Sequence, residues 1–231
     1  MDPSFVTPPV TPRAVPALAA DVLRRRGGRR AVSVLSVVLL LAGVVMFSYP
    51  VGTDLYSRLQ QDRLQQAFDE PETQAAYTER RIRVGDGLTT LRIPKLDVEV
   101  LVVEGTTPAA LRAGAGHYVG TPLPGEPGNV GIAGHRTTYG RPFNRIDELR
   151  AGDVVELETP LAVHTYRVTT GFDGHPNPWV VQPTDVSVVA QNVRGRVLTL
   201  TTCHPKGSAR QRLIVRLELV ESTPRAGAGD G

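Results

Sequence analysis

Between Ala31 and Thr53 the chain carries no charged side chain, and residues 32–47 are almost wholly apolar. A helix rises about 1.5 Å per residue, so about 20 such residues match the roughly 30 Å hydrocarbon core of a bilayer. The run has no polar face, which argues against a buried core helix. A cleaved secretory signal has an apolar region of about 7–15 residues followed by a small-x-small site. Here the run is longer, and Met46-Phe47-Ser48-Tyr49-Pro50 offers no such site. The sequence therefore predicts a retained transmembrane anchor at residues 31–50. Arg24, Arg25, Arg26, Arg29 and Arg30 precede it, and Asp54 and Arg58 follow. The positive-inside rule then places residues 1–30 in the cytoplasm and the chain beyond the anchor outside.

The net charge of +3 belongs to that basic head. Residues 1–30 hold six arginines against Asp2 and Asp21, a balance of +4 that leaves the other 201 residues near −1. A nucleic-acid partner is therefore not expected from the basic isoelectric point. The head is Pro- and Ala-rich over residues 1–20, a disorder-type composition. Asp54–Glu70 has Tyr56, Leu59, Arg63, Leu64, Ala67 and Phe68 at roughly helical spacing and is predicted to be a membrane-proximal helix ending before Pro71. It is read as a spacer rather than as part of the C-terminal domain, and residues 71–87 as linker. Residues 222–231 form a Gly/Ala tail.

The pattern changes after Leu88. Seven short β-type runs recur: Leu91–Ile93, Val98–Val103, Asn129–Ala133, Val154–Leu157, His164–Thr170, Val197–Thr202 and Leu213–Leu219. Gly, Pro and Asp punctuate them, which indicates a mainly β barrel or sandwich. Pro108–Leu111, Ile146–Leu149 and Thr184–Ala190 are expected as short helices. Residues 88–221 then make one domain.

Cys203 is the only cysteine and ends one of these runs, in Thr199-Leu200-Thr201-Thr202-Cys203-His204. Nine residues later Arg212 opens the next run. Upstream, His135 follows Gly131-Ile132-Ala133-Gly134. A lone thiol, a histidine after a strand and a guanidinium on an adjacent strand suit nucleophilic catalysis. In an unknown protein a lone cysteine is more often a small buried hydrophobe. An oxidising exterior disfavours an idle thiol, however.

These segments resemble a sortase, a membrane-anchored bacterial cysteine transpeptidase. The likeness extends through Ile93-Pro94-Lys95-Leu96, Gly114-Ala115-Gly116-His117-Tyr118, Leu123-Pro124-Gly125-Glu126-Pro127-Gly128-Asn129, Gly134-His135-Arg136-Thr137-Thr138-Tyr139-Gly140 and Leu149-Arg150-Ala151-Gly152-Asp153, in family order. The His-Arg-Thr-Thr-Tyr-Gly stretch and the Gln211-Arg212-Leu213-Ile214-Val215 end look most like class E, the housekeeping type of actinobacteria. The resemblance implies an eight-stranded β-barrel preceded by a transmembrane helix. Seven runs leave one strand unassigned, to be supplied near Leu111–Val119 or Val180–Val181.

By the same resemblance Cys203 is the nucleophile, His135 the proton carrier and Arg212 the group that stabilises the oxyanion or holds the substrate backbone. Thr202, Thr137, Tyr139 and His117 are candidate substrate-lining residues. Arg210 is the rival arginine. His204 is set aside as the base because adjacent strand residues point to opposite faces. The expected substrates are secreted proteins bearing a C-terminal sorting signal of Leu-Ala-x-Thr-Gly or Leu-Pro-x-Thr-Gly type. The expected acceptor is an amine of a peptidoglycan precursor. No metal and no cofactor are expected. Two other readings stay open: a pilin-polymerising enzyme, and an inactive membrane-tethered binding domain on the same fold.

Overall fold

The computed structural model describes residues 26–225 apart from residue 69, so most of the basic head and the end of the tail lie outside the described residues. Two compact units divide at Tyr49/Pro50. Helix α1 (Arg26–Phe68) contains Pro50. One stretch within it, starting at Gly28, is long and apolar enough to cross a membrane, with a mean hydropathy of 2.5 over its best window. The separate membrane-proximal helix expected at residues 54–70 is thus the continuation of α1.

The second unit is built on a nine-stranded sheet. Its strands are β1 (Gly87–Ile93), β2 (Val98–Glu104), β3 (Ala115–His117), β4 (Gly128–Ala133), β5 (Val154–Glu158), β6 (Ala162–Val168), β9 (Trp179–Val181), β10 (Arg196–His204) and β11 (Gln211–Pro224). The order is β10-β4-β3-β2-β1-β5-β6-β11-β9, and β10 also pairs with β11. That last pairing closes eight strands into a barrel and leaves β9 outside the ring. The β2–β3 and β10–β4 pairs are parallel, and the other pairs in the ring are antiparallel. A small hairpin, β7 (Gly171–Phe172) with β8 (His175–Pro176), decorates the β6–β9 connection.

The missing eighth strand is β3, three residues long. Gly114 precedes it and Gly116 is its middle residue, and glycine weakens any strand signal. Val180–Val181 lies in β9, outside the ring. Short helices form as expected at α3 (Pro108–Ala113), Ile146–Glu148 and Val186–Val189, the last two being 3-10 turns. Thr107 caps α3, its hydroxyl accepting from Ala110 N.

Strand alternation fills the barrel. Leu198, Leu200, Leu213, Val215 and Leu217 join Leu91, Val102, Val130, Ile132, Val155 and Tyr166 in one buried cluster. Their alternates, Thr199, Thr201 and Cys203 on β10 and Arg212, Ile214 and Arg216 on β11, therefore face outward. Ile214 belongs to a separate cluster with Trp179 and Val188, which covers part of that outer face.

The segment read as a spacer and linker packs on the barrel. On α1 the buried positions are Thr53, Ser57 and Phe68, with Gln61 half-buried, whereas Leu55, Leu59 and Arg63 are exposed. The Gln61 amide donates to Leu101 O (3.2 Å) and Ala113 O (2.7 Å), and its oxygen accepts from Leu101 N (2.7 Å). It fills the ladder position beside β2 that β3, beginning at Ala115 opposite Val102, does not reach. A Cβ at Gly114 would sit 2.2 Å from the Gln61 amide nitrogen, so this approach requires glycine. Helix α2 (Pro71–Thr78) buries Tyr77, whose hydroxyl bonds the Thr159 side chain; burial raises its pKa. Over residues 53–61 the docking face of α1 is small and amide-bearing, so hydrophobic periodicity pointed to the wrong side there, although Phe68 of the same stripe is buried.

Candidate active site

Cys203 and Arg212 are directly opposed across the β10–β11 ladder. Directly opposed residues in an antiparallel pair project to the same face with Cβ atoms about 4.5–5.5 Å apart. The thiol and the guanidinium therefore share the outer face, and the thiol is partly exposed. Arg212 also pairs with Val181 of β9, so it sits between the nucleophile's strand and the outer strand. Its Nη1 donates to Ala209 O (2.9 Å) and Gln211 O (3.0 Å). That fixes one edge of the fork against the β10–β11 loop, and the described residues give its Nε and Nη2 no acceptor. Arg210 is exposed and carries no such restraint.

β4 runs parallel to β10, with Ala133 opposite Thr201, and its next residues carry the imidazole to the same end of the barrel. Gly134 N donates to Thr201 O (3.1 Å), and Thr202 Oγ1 donates to Gly134 O (2.7 Å). Phe143 N donates to His135 O (3.1 Å). A Cβ at Gly134 would lie 2.6 Å from the Phe143 ring, so the backbone leading to His135 is packed as well as bonded. Burial pushes the His135 pKa down, and the positive charge of Arg112 lowers it further. The Tyr139 ring lies 5.2 Å from the His135 ring, tilted by 36°.

The next residue ties the two loops together. Arg136 is 3% exposed. Its Nη1 donates to Cys203 O (3.2 Å) and to His204 Nδ1 (2.9 Å). Its Nη2 meets Asp147 at 3.1 Å, and Asn144 Nδ2 donates to Arg136 O at 2.7 Å. One buried guanidinium thus joins the backbone of the cysteine to the turn that presents the histidine. His204 is engaged in this bracket through its Nδ1.

Two of the candidate lining residues are placed differently from their expectation. Thr202 is 3% exposed and points inward, bracing Gly134. His117 is 1% exposed; its Nδ1 bonds Glu104 (2.6 Å), and its Nε2 contacts the Thr121 hydroxyl (2.8 Å) and Pro122 O (3.0 Å). Both are corrections: these polar side chains close the barrel end and do not line a groove. Thr137 is exposed on the turn, and only Tyr139 stands against the histidine.

Along the outer face below Cys203, Tyr118 lies over β4. Its hydroxyl meets Thr201 Oγ1 at 3.0 Å, and a Cβ at Gly131 would lie 2.9 Å from its ring. A cleft of about 680 Å³ continues along this side, bordered by Trp179, Val181, Val188 and Arg216. Arg216 is buried beneath the Phe172 ring, 4.1 Å from its centroid, and burial lowers its pKa to about 10. The described residues contain no cluster of metal-ligating side chains.

The sortase-domain family model matches residues 91–220. The chain belongs to the sortase family. Sortase SrtE1 of Streptomyces coelicolor is 36% identical over 156 residues, covering 62% of this chain and 43% of SrtE1. The chain thus spans less than half of that relative's length. Sortase SrtE2 of the same organism is 29% identical over 233 residues, covering 86% of this chain and 87% of SrtE2. Among solved structures, sortase E of Streptomyces avermitilis superposes with a TM-score of 0.55 at 37% identity, covering 64% of this chain and 97% of that one. The match reaches class E relatives, as the His-Arg-Thr-Thr-Tyr-Gly stretch suggested.

For this sortase, sequence reasoning missed Arg136 and Tyr118 as site residues. Both stand inside motifs that carried the resemblance. Their partners, Cys203 O and Thr201 Oγ1, lie 67 and 83 residues away, and no local pattern records them.

Proposed function

We propose that this sortase is a membrane-anchored cysteine transpeptidase with Cys203 as nucleophile, His135 as proton carrier and Arg212 as oxyanion or substrate clamp. The observation that carries the reading is the direct pairing of the sole thiol with Arg212 on the outer face, beside the strand that leads to His135. The thiolate attacks the carbonyl of threonine in a Leu-Ala-x-Thr-Gly or Leu-Pro-x-Thr-Gly signal. The Thr–Gly C–N bond breaks as protonated His135 gives its proton to the departing glycine amine. The acyl group stays on sulfur as a thioester. An amine of a peptidoglycan precursor then attacks, His135 takes its proton, and the thiolate leaves as the new amide forms. Arg212, held at one edge of its planar fork, presents its remaining donors to the developing oxyanion or to the substrate backbone.

The five arginines before the apolar helix support a cytoplasmic N-terminus and an extracytoplasmic barrel. The substrates are then secreted proteins with C-terminal sorting signals.

The test incubates the chain in detergent micelles with Leu-Ala-x-Thr-Gly and Leu-Pro-x-Thr-Gly peptides plus an amine, following acyl-enzyme and product by mass spectrometry. Cys203→Ala abolishes the acyl-enzyme, and His135→Ala lowers turnover by about 10²–10⁴-fold. Arg212→Lys does not restore what Arg212→Ala removes, because an ammonium lacks the planar fork. If Arg210→Ala is inactive while Arg212→Ala matches the parent, the arginine assignment fails.

A further inference from the structure

The turn after His135 is held by the helix that carries the apolar segment. Tyr139, Gly140 and Arg141 are three consecutive residues in the left-handed region, with φ of 52°, 73° and 50°. That conformation is unfavourable for residues with a Cβ and persists where the surroundings over-determine it. The restraint here comes from α1. Asp54 Oδ1 accepts from Gly140 N (3.1 Å), and its Oδ2 accepts from the Arg141 guanidinium (2.8 Å). Ser57, one turn on, lies so close that a Cβ at Gly140 would be 2.9 Å from its hydroxyl.

Tyr56 adds an aromatic link. Its ring meets the Tyr139 ring edge to face, at 6.3 Å between centroids and 77° between planes. Tyr139 in turn stands 5.2 Å from His135. An unbroken path of contacts therefore runs from Asp54 and Tyr56 to the imidazole. Tyr56 is 45% exposed, so burial of its ring is a weak reason for its place.

We propose that Asp54 and Tyr56 are positioning residues for His135: the start of the extramembrane part of α1 holds the left-handed turn, and the turn holds the imidazole. This rests on the transpeptidase reading. It explains why the polar face of α1, and not its Leu55/Leu59 side, meets the barrel. A purely adhesive helix would gain more by burying the leucines.

The experiment uses the full chain in detergent micelles. Tyr56→Ala, Tyr56→Phe and Asp54→Ala are compared with the parent and with Arg63→Gln, a change on the exposed side of the same helix. Hydrogen exchange of the peptide covering residues 134–142 is followed by mass spectrometry, and steady-state transfer is measured with the sorting peptide.

Tyr56→Ala and Asp54→Ala are expected to speed exchange in that peptide and to lower kcat at least about fivefold. The loss stays below the about 10²-fold minimum for removing the proton carrier itself. KM stays within about twofold, since peptide binding is not the interaction lost. Tyr56→Phe and Arg63→Gln behave as the parent. Unchanged exchange at residues 134–142, or a loss confined to KM, overturns the proposal, as does Tyr56→Phe matching Tyr56→Ala. If the parent itself neither cleaves nor transfers, the transpeptidase reading falls, and exchange alone decides whether α1 holds the turn.

Discussion

Arg136→Ala tests whether one buried guanidinium holds the two active-site segments together. The side chain is 3% exposed and bonds Cys203 O and His204 Nδ1. Losing a hydrogen bond from a charged donor costs about 1.5–3 kcal/mol. Two buried methylenes, Cγ and Cδ, add about 0.8 kcal/mol each. The Asp147 pair counts for at most about 1 kcal/mol, because that carboxylate's side chain is 40% exposed and water can replace the partner. The Arg136 Nε is buried without a partner among the described residues, so its removal offsets part of the loss. The expected destabilisation is about 3–6 kcal/mol, and a domain of this size loses about 2–4 °C of Tm per kcal/mol. Thermal unfolding followed by circular dichroism should then show a drop of roughly 6–24 °C at the same scan rate. Arg136→Lys keeps the charge but not the fork, so it recovers part of the Tm while transfer stays impaired. A Tm for Arg136→Ala within about 2 °C of the parent would refute the bracket, since that shift corresponds to no more than about 1 kcal/mol.

A fragment beginning at residue 72 should be less stable than one beginning at residue 50, by about 3–6 kcal/mol, from the buried Phe68 and the three Gln61 bonds. Equal denaturant midpoints for the two fragments would return α1 to the role of a spacer. His135 provides a pH test. Burial first and Arg112 second lower its folded pKa, so between that value and the ordinary value near 6.5 the unfolded chain binds more protons. The contribution of His135 to stability therefore rises with pH through that window and is level above it. Arg112→Gln removes the smaller cause, so the His135 titration followed by NMR should move up while remaining below about 6.5; no movement, or a fall, would show that Arg112 does not act on the ring.

Some of this molecule is written locally. The apolar run at residues 31–50 needs no tertiary context, because its length and lack of charge suffice to match a bilayer. Seven of the eight barrel strands were visible because β-branched and leucine residues repeat between Gly, Pro and Asp punctuation. Cys203, His135 and Arg212 stood out because a lone thiol, a histidine and an arginine fell at strand ends within motifs of a known order.

Other features depend on distant parts of the chain. β3 is three residues long and exists because β2 and β4 flank it. Its own sequence carries two alanine-or-glycine positions and a histidine. Thr202 and His117 looked like groove residues in the sequence, and the register turned both inward, since one strand position decides the face. Arg136 stood in the sequence only as one residue of a family-like stretch, and β10 supplies the carbonyl and the imidazole that give it a role. The docking of α1 was hidden for a physical reason. Its contact with the barrel rests on the small Thr53 and Ser57 and on Gln61, whose hydrogen-bond partners lie 40 or more residues away, while Leu55 and Leu59 face outward. Hydrophobic pattern records the transfer of apolar surface, which each residue carries with it. A hydrogen bond between distant residues is recorded only when the folded chain supplies both partners.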